Sequence, residues 1–190
     1  MTPPLILASA SPRRRQLLGR LGLAFDIEES NVDEAVRGPL PVTALVRDLA
    51  LRKARVVAGT HMTGIVLGAD TEVAVDGMVL GKPIDSDDAV RMLRLLRGRG
   101  HTVATGVAVV DIDSGIERAA VAIARVTMHA YTDEQIATYV ASGEPMDKAG
   151  AYAIQGAGGA LVMAIEGRLD TVVGLPLDLV AGLLGVEPPV

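Results

Sequence analysis

The sequence predicts an α/β fold. Short apolar runs alternate with segments of helical periodicity along the 190 residues. That length suits one domain of ordinary size, spanning 1–190 with two lobes and no clear linker. Half the residues are apolar, yet aromatics are limited to Phe25 and three tyrosines. The core must therefore come from Val, Leu, Ile, Ala and Met.

The elements follow in order. Leu5–Ala8 is a short apolar run that predicts a buried strand. Ser11 and Pro12 are an N-cap and a first helical residue, opening a helix with Leu17, Leu18 and Leu21 on it. Ala24–Glu28 predicts a short strand, and Gly38-Pro39-Leu40-Pro41 a loop. A helix is expected from about Val42 to Ala58, its apolar stripe running through Leu45, Val46, Leu49, Ala50, Val56 and Val57. Ile65–Ala69 predicts a buried strand that ends at Asp70, followed by a hairpin from Glu72 to Leu80 turning at Asp76-Gly77.

A helix capped by Ser86 is expected over about 87–97, with Ala89, Met92, Leu93 and Leu96 on one face. Two long strands, Thr102–Asp111 and Ile116–Met128, are expected to pair around Asp113-Ser114-Gly115. Thr132-Asp133-Glu134-Gln135 is a capping box that opens a helix with Ile136, Tyr139 and Val140 inward. The Gly-rich stretch 150–159 leads to strands near Leu161–Ile165 and Asp170–Val173, and a last helix follows Pro176.

Several function classes are disfavoured. There is no cysteine, so no disulfide framework, zinc knuckle or thiol nucleophile. The net charge of −5 argues against nucleic-acid binding, whose footprint is basic. The N-terminus lacks the basic start of a signal peptide, and no apolar stretch is long enough to span a bilayer. A cytoplasmic protein with no membrane partner is the expectation. His61, His101 and His129 show no metal-ligand spacing, and neither a P-loop nor a Rossmann fingerprint occurs.

One turn breaks a local rule. Arg13, Arg14 and Arg15 fall in the first turn of a helix, where the macrodipole is positive and acidic residues are favoured. Helix N–H groups, the hydroxyls of Ser9 and Ser11 and the arginine forks together suit a polyanion. Lys53 is the second anomaly, because helical spacing places it on the apolar stripe. It is either a cation facing a cleft or one that snorkels to water. Asp70 follows a strand, where ligands collect in α/β sheets; it could orient water, hold a cation or accept a proton, or it is a turn aspartate capping Thr71 or Glu72. Lys82 lies between Gly81 and Pro83 in an extended turn, beside phosphates or simply at the surface. Glu34 alone is a weak signal. Gln155 is an amide in a Gly-rich turn, able to read a base edge or bond local backbone.

Together these segments resemble the Maf family of nucleoside triphosphate pyrophosphatases. The matching pieces are Leu7-Ala8-Ser9-Ala10-Ser11-Pro12-Arg13-Arg14, Val32-Asp33-Glu34, Lys53 and Gly68-Ala69-Asp70-Thr71. Gly81-Lys82-Pro83, the run Asp147–Gly156 and Val173-Gly174-Leu175-Pro176-Leu177 complete the set, in the family's order. The resemblance implies an elongated, curved mixed sheet flanked by helices, with two lobes around a cleft, as in inosine-triphosphate pyrophosphatases. It implies hydrolysis of a nucleoside triphosphate to monophosphate and pyrophosphate with a divalent cation, Mg²⁺ or Mn²⁺, and a homodimer.

The resemblance also implies roles. Asp70 is the proton acceptor, with Lys53 and Lys82 as catalytic cations. Ser9, Arg13, Arg14, Thr71 and Gln155 bind substrate, and Glu34 with Asp70 holds the metal. Arg13, Thr71 and Gln155 match the branch acting on dTTP and UTP. Two alternatives are a pyrophosphatase for 7-methyl-GTP or other modified nucleotides, and a non-catalytic nucleotide-binding regulator of cell division.

Overall fold

Seven strands form one mixed sheet in the computed structural model, which describes residues 3–32 and 40–188. The predicted loop residues Gly38 and Pro39 lie outside the described residues. Strand β1 (Leu5–Ala8) is fully buried, as its four apolar residues require. It is flanked in parallel by β2 (Asp26–Ile27) and by β3 (Ile65–Val75), with Ala8 opposite Gly68. A two-residue strand β4 (Met78–Val79) turns back antiparallel on β3, with positive φ at Asp76 and Gly77 as the Asp-Gly hairpin demands. The order continues through β5 (Gly100–Asp111), β6 (Glu117–Met128) and β7 (Val162–Glu166), the last pair antiparallel.

The helices begin where the sequence places them, with one exception. Helix α1 (Pro12–Gly19) is capped by Ser11, whose side chain accepts the Arg14 N–H. Helix α2 (Val42–Ala58) buries Leu45, Val46, Leu49, Ala50, Lys53, Ala54 and Val57. Val56, assigned to the stripe from sequence, is exposed, and Ala54 takes the inward place. Helix α3 (Ser86–Leu96) is capped by Asp85 rather than Ser86: extended Asp85 accepts the Asp88 N–H at 2.8 Å, whereas Ser86 is already helical. Helix α4 (Asp133–Ala141) opens on the expected Thr132–Gln135 capping box.

Two further expectations are corrected. Strand β3 does not end at Asp70 but continues to Val75, so Asp70 is a mid-strand residue. The apolar run stops there, but backbone pairing does not. Leu169–Val173 is a helical turn, α5, rather than a strand near 170–173. The β-branched run Thr171-Val172-Val173 favours extension, yet Asp170 and Thr171 are buried within the turn, and tertiary context overrides propensity. Helix α6 (Leu177–Leu184) ends at Gly185 in the left-handed conformation.

The chain divides into two compact units. The first comprises Met1–Asp70, Thr105–Ala122 and Gly174–Val190, and the second Thr71–Ala104 and Ile123–Val173. In the first, Ile6, Ala8 and Val66 join Ala50, Ala54 and Val57 of α2 in an aliphatic core. In the second, Met92, Leu93 and Leu96 of α3 meet Ile136 and Tyr139 of α4, with Val73, Val103 and Val126 from the sheet. Burial of such side chains stabilises each by about 1.5–3 kcal/mol. No helix among the described residues is long and apolar enough to cross a membrane.

Candidate active site

The first unit gathers five of the residues singled out from sequence. The parallel register of β1 and β3 sets Ala8 beside Gly68, so Ser9 and the arginine turn leave the sheet alongside Ala69 and Asp70. Helix α2 crosses this region at very short range. A β-carbon on Gly68 would overlap the Ala50 carbonyl oxygen and stand 2.8 Å from Ala54 N. One on Gly106 of β5 would overlap the Val46 carbonyl. Two glycines on neighbouring strands thus let the helix sit directly on the sheet.

That approach brings Lys53 onto Asp70. The lysine Nζ donates to Asp70 Oδ1 at 2.6 Å, with Lys53 8% and Asp70 5% exposed. The snorkelling alternative for Lys53 is therefore excluded. Asp70 Oδ2 is buried and has no hydrogen-bond partner among the described residues. Burying a charged pair demands good geometry and saturation of the remaining lone pairs, so an orphaned carboxylate oxygen is costly. Chemically, such an oxygen can accept a proton or coordinate a cation.

The arginine turn is organised from within. Ser9 is buried, and its Oγ accepts the Ser11 N–H at 3.2 Å and Arg14 Nη1–H at 3.4 Å. Arg14 Nε donates to the Gly174 carbonyl at 2.9 Å. The guanidinium is thus oriented by the turn before α6, a contact across 160 residues that no local pattern discloses. Its only trace in sequence is the Gly174-Leu175-Pro176 punctuation, where Gly174 adopts φ 114°. Arg13, in the same helical turn, is half-buried, and no acidic residue lies in that turn.

The second unit carries three more. Thr71 is half-buried on β3, directly after Asp70. Lys82 is exposed in the turn after β4, where the Gly81 carbonyl accepts the Gly150 N–H at 2.7 Å. Gln155 is exposed within the Gly-rich segment, which forms short 3-10 turns over Ala149–Ala151 and Ala157–Leu161. Glu34 lies outside the described residues. Among the described residues no three His, Cys, Asp or Glu side chains cluster to hold a metal ion.

A hard divalent cation such as Mg²⁺ needs little more than one or two carboxylates, the remaining ligands coming from water and phosphate oxygens. The orphaned Asp70 Oδ2 is a donor of that kind, so the residues present fit such an ion.

Curated relatives match along nearly the whole chain. A protein of Moorella thermoacetica named dTTP/UTP pyrophosphatase is 56% identical over 96% of this chain and 94% of its own length. One of the same name from Anaeromyxobacter dehalogenans is 50% identical over 97% of this chain and 94% of its own. A third, from Dictyoglomus turgidum, is 46% identical over 97% and 96%. With the model of the family described as Maf-like protein matching residues 4–186, the ordered motifs and the turn they build have one home: the chain belongs to the Maf family.

Proposed function

We propose that the chain hydrolyses dTTP and UTP to the monophosphate and pyrophosphate. The observation that carries this reading is the buried Lys53–Asp70 pair, one carboxylate oxygen held by the ammonium and the other without a partner among the described residues. It lies beside the turn that carries Ser9, Arg13 and Arg14, whose guanidinium groups suit an anion. The three relatives named dTTP/UTP pyrophosphatase supply the substrate class.

In this mechanism Asp70 Oδ2 accepts a proton from the attacking water. The water oxygen bonds to the α-phosphorus, the bridging α–β P–O bond breaks, and pyrophosphate leaves with the electron pair. Lys53 holds the carboxylate in one rotamer through Oδ1. Ser9 and Arg14 grip phosphate oxygens, while Arg13, Lys53 and Lys82 offset the charge that grows on the leaving group. Thr71 and Gln155 read the pyrimidine, and Arg13 contributes to base choice. Glu34 and Asp70 would hold a divalent cation, Mg²⁺ or Mn²⁺, together with substrate oxygens; when bound it neutralises phosphate charge. Oδ2 is the working atom of Asp70 as base or as ligand.

The test is pyrophosphate release from a panel of nucleoside triphosphates with Mg²⁺ or Mn²⁺. Turnover of dTTP and UTP ahead of purine nucleotides is expected. Preferential turnover of 7-methyl-GTP would reassign the substrate, and tight binding without turnover would favour a regulatory role. The same reading places the protein in the cytoplasm as a homodimer, which fractionation and light scattering test.

A further inference from the structure

The segment that carries Gln155 is held at both ends by one pair of side chains in the second unit. Tyr139, buried on α4, donates its hydroxyl proton to Glu144 Oε1 at 3.0 Å and accepts the Ala153 N–H at 3.2 Å. Glu144 follows α4 by three residues. Its Oε2 accepts the Ala157 N–H and its Oε1 the Gly158 N–H, both at 3.1 Å. The hydroxyl therefore fixes the entry of the loop 153–158, the carboxylate fixes its exit, and the two are bonded to each other.

Between the fixed ends lie Ile154, Gln155 and Gly156. Gly156 adopts φ 99° and ψ −156°, a region open essentially to glycine alone. A β-carbon there would stand 2.7 Å from Glu144 Oε2, so the loop backbone lies directly on the carboxylate. Burial raises the Glu144 carboxyl, but the N–H groups of Gly158 and Ala157, the Tyr139 hydroxyl and the Lys148 charge together outweigh it. The group stays below the usual carboxylate range and is ionised at neutral pH. Charge-assisted bonds of this kind are about twice as strong as neutral ones. Gln155 itself is exposed, on a backbone bonded at both ends to this pair.

We propose that Glu144 is a positioning residue for base recognition, fixing through this clamp the backbone from which Gln155 presents its amide to the pyrimidine. The inference rests on the function proposed above and deepens it. In this reading Glu144 acts through the loop backbone and not on the substrate itself. Its effect falls on binding of the base, which is alike in ground and transition states, and so on KM rather than kcat. A Glu144→Gln side chain keeps the size but turns one acceptor into a donor facing a backbone N–H, leaving the network half satisfied.

The experiment compares wild type, Glu144→Gln, Gln155→Ala and the double variant on dTTP, UTP, ATP and GTP. KM for dTTP and UTP should rise on the order of tenfold to a hundredfold in Glu144→Gln, with kcat nearly unchanged and preference over purine nucleotides reduced in proportion. The double variant should be no worse than Gln155→Ala. Unchanged kinetics, equal kcat losses on all four nucleotides or additive losses in the double variant overturn the inference. Should Glu144→Gln lack native circular dichroism, Tyr139→Phe carries the same test, and a wild-type KM there overturns it. A wild type inert toward both pyrimidine nucleotides removes the parent function and this inference with it. An active wild type with an unaltered Glu144→Gln removes this inference alone.

Discussion

Gly68 lies against the carbonyl oxygen of Ala50, at a separation that a β-carbon would turn into overlap. Gly68 is two residues before Asp70 on one strand, and Ala50 is three before Lys53 on one helix. The contact thus sets the distance across which lysine and aspartate meet. Gly68→Ala must push α2 off the sheet, and overpacking of this kind costs about 1–3 kcal/mol. Turnover should fall further than stability, because the Lys53–Asp70 bond at 2.6 Å has no slack to lose. Urea unfolding and saturating kcat measured on one preparation check this; intact values for both would show that the helix accommodates the methyl group.

The ion pair itself makes a sharper prediction. Lys53→Met leaves Asp70 as a buried, uncompensated carboxylate, and breaking a buried pair from one side costs about 3–5 kcal/mol. Adding Asp70→Leu removes the stranded charge, so the double variant should recover most of the lost stability while remaining inactive. Denaturant midpoints of the two single variants and the double variant form the cycle. Additive losses would mean that the two side chains do not depend on each other.

Local pattern made the helix stripe, the arginine turn and the Asp76-Gly77 hairpin legible, because each depends on residues a few positions apart. Lys53 could be seen to break the α2 stripe, but its partner lies 17 residues on and on another element. The same limit hides the Gly174 carbonyl from Arg14 and the Ala157 and Gly158 amides from Glu144. Asp70 looked like a strand end because apolarity stops there, although the ladder continues to Val75. Thr71 is reached only through the family resemblance, and for Lys82 and Gln155 the resemblance chooses between the functional and the local reading that their turns leave open.

His101 gives the fold a predictable pH dependence. Its ring is buried against Tyr152, with Nε2 2.8 Å from the hydroxyl, and burial, aided by the nearby Arg125 charge, lowers its pKa to about 4. The unfolded chain, with an ordinary histidine near 6.5, binds the proton more readily than the native state between these values. Stability should therefore be full above about pH 6.5, fall as pH drops toward about 4 and then level off, by on the order of 3 kcal/mol. Urea midpoints of wild type and His101→Gln across that range isolate the effect as a difference in slope. Parallel curves would show that the ring titrates alike in both states.

Base choice tests the role given to the Gly-rich loop. Gln155 offers an NH₂ donor group beside a carbonyl acceptor, which suits the edge of a pyrimidine that presents both kinds of partner. Gln155→Glu keeps the reach but removes the donor and adds a charge, so the bond to a base carbonyl becomes a repulsion. A site built to bond a polar edge loses far more from such a mismatch than from a missing methyl group. Hydrolysis of dTTP and UTP should fall on the order of tenfold to a hundredfold by kcat/KM, with that of purine nucleotides much less affected. The metal concentration for half-maximal activity should hardly move, since the proposed ligands Glu34 and Asp70 are untouched. Equal losses on every nucleotide would place Gln155 in general loop stability and return the choice of base to Arg13 and Thr71.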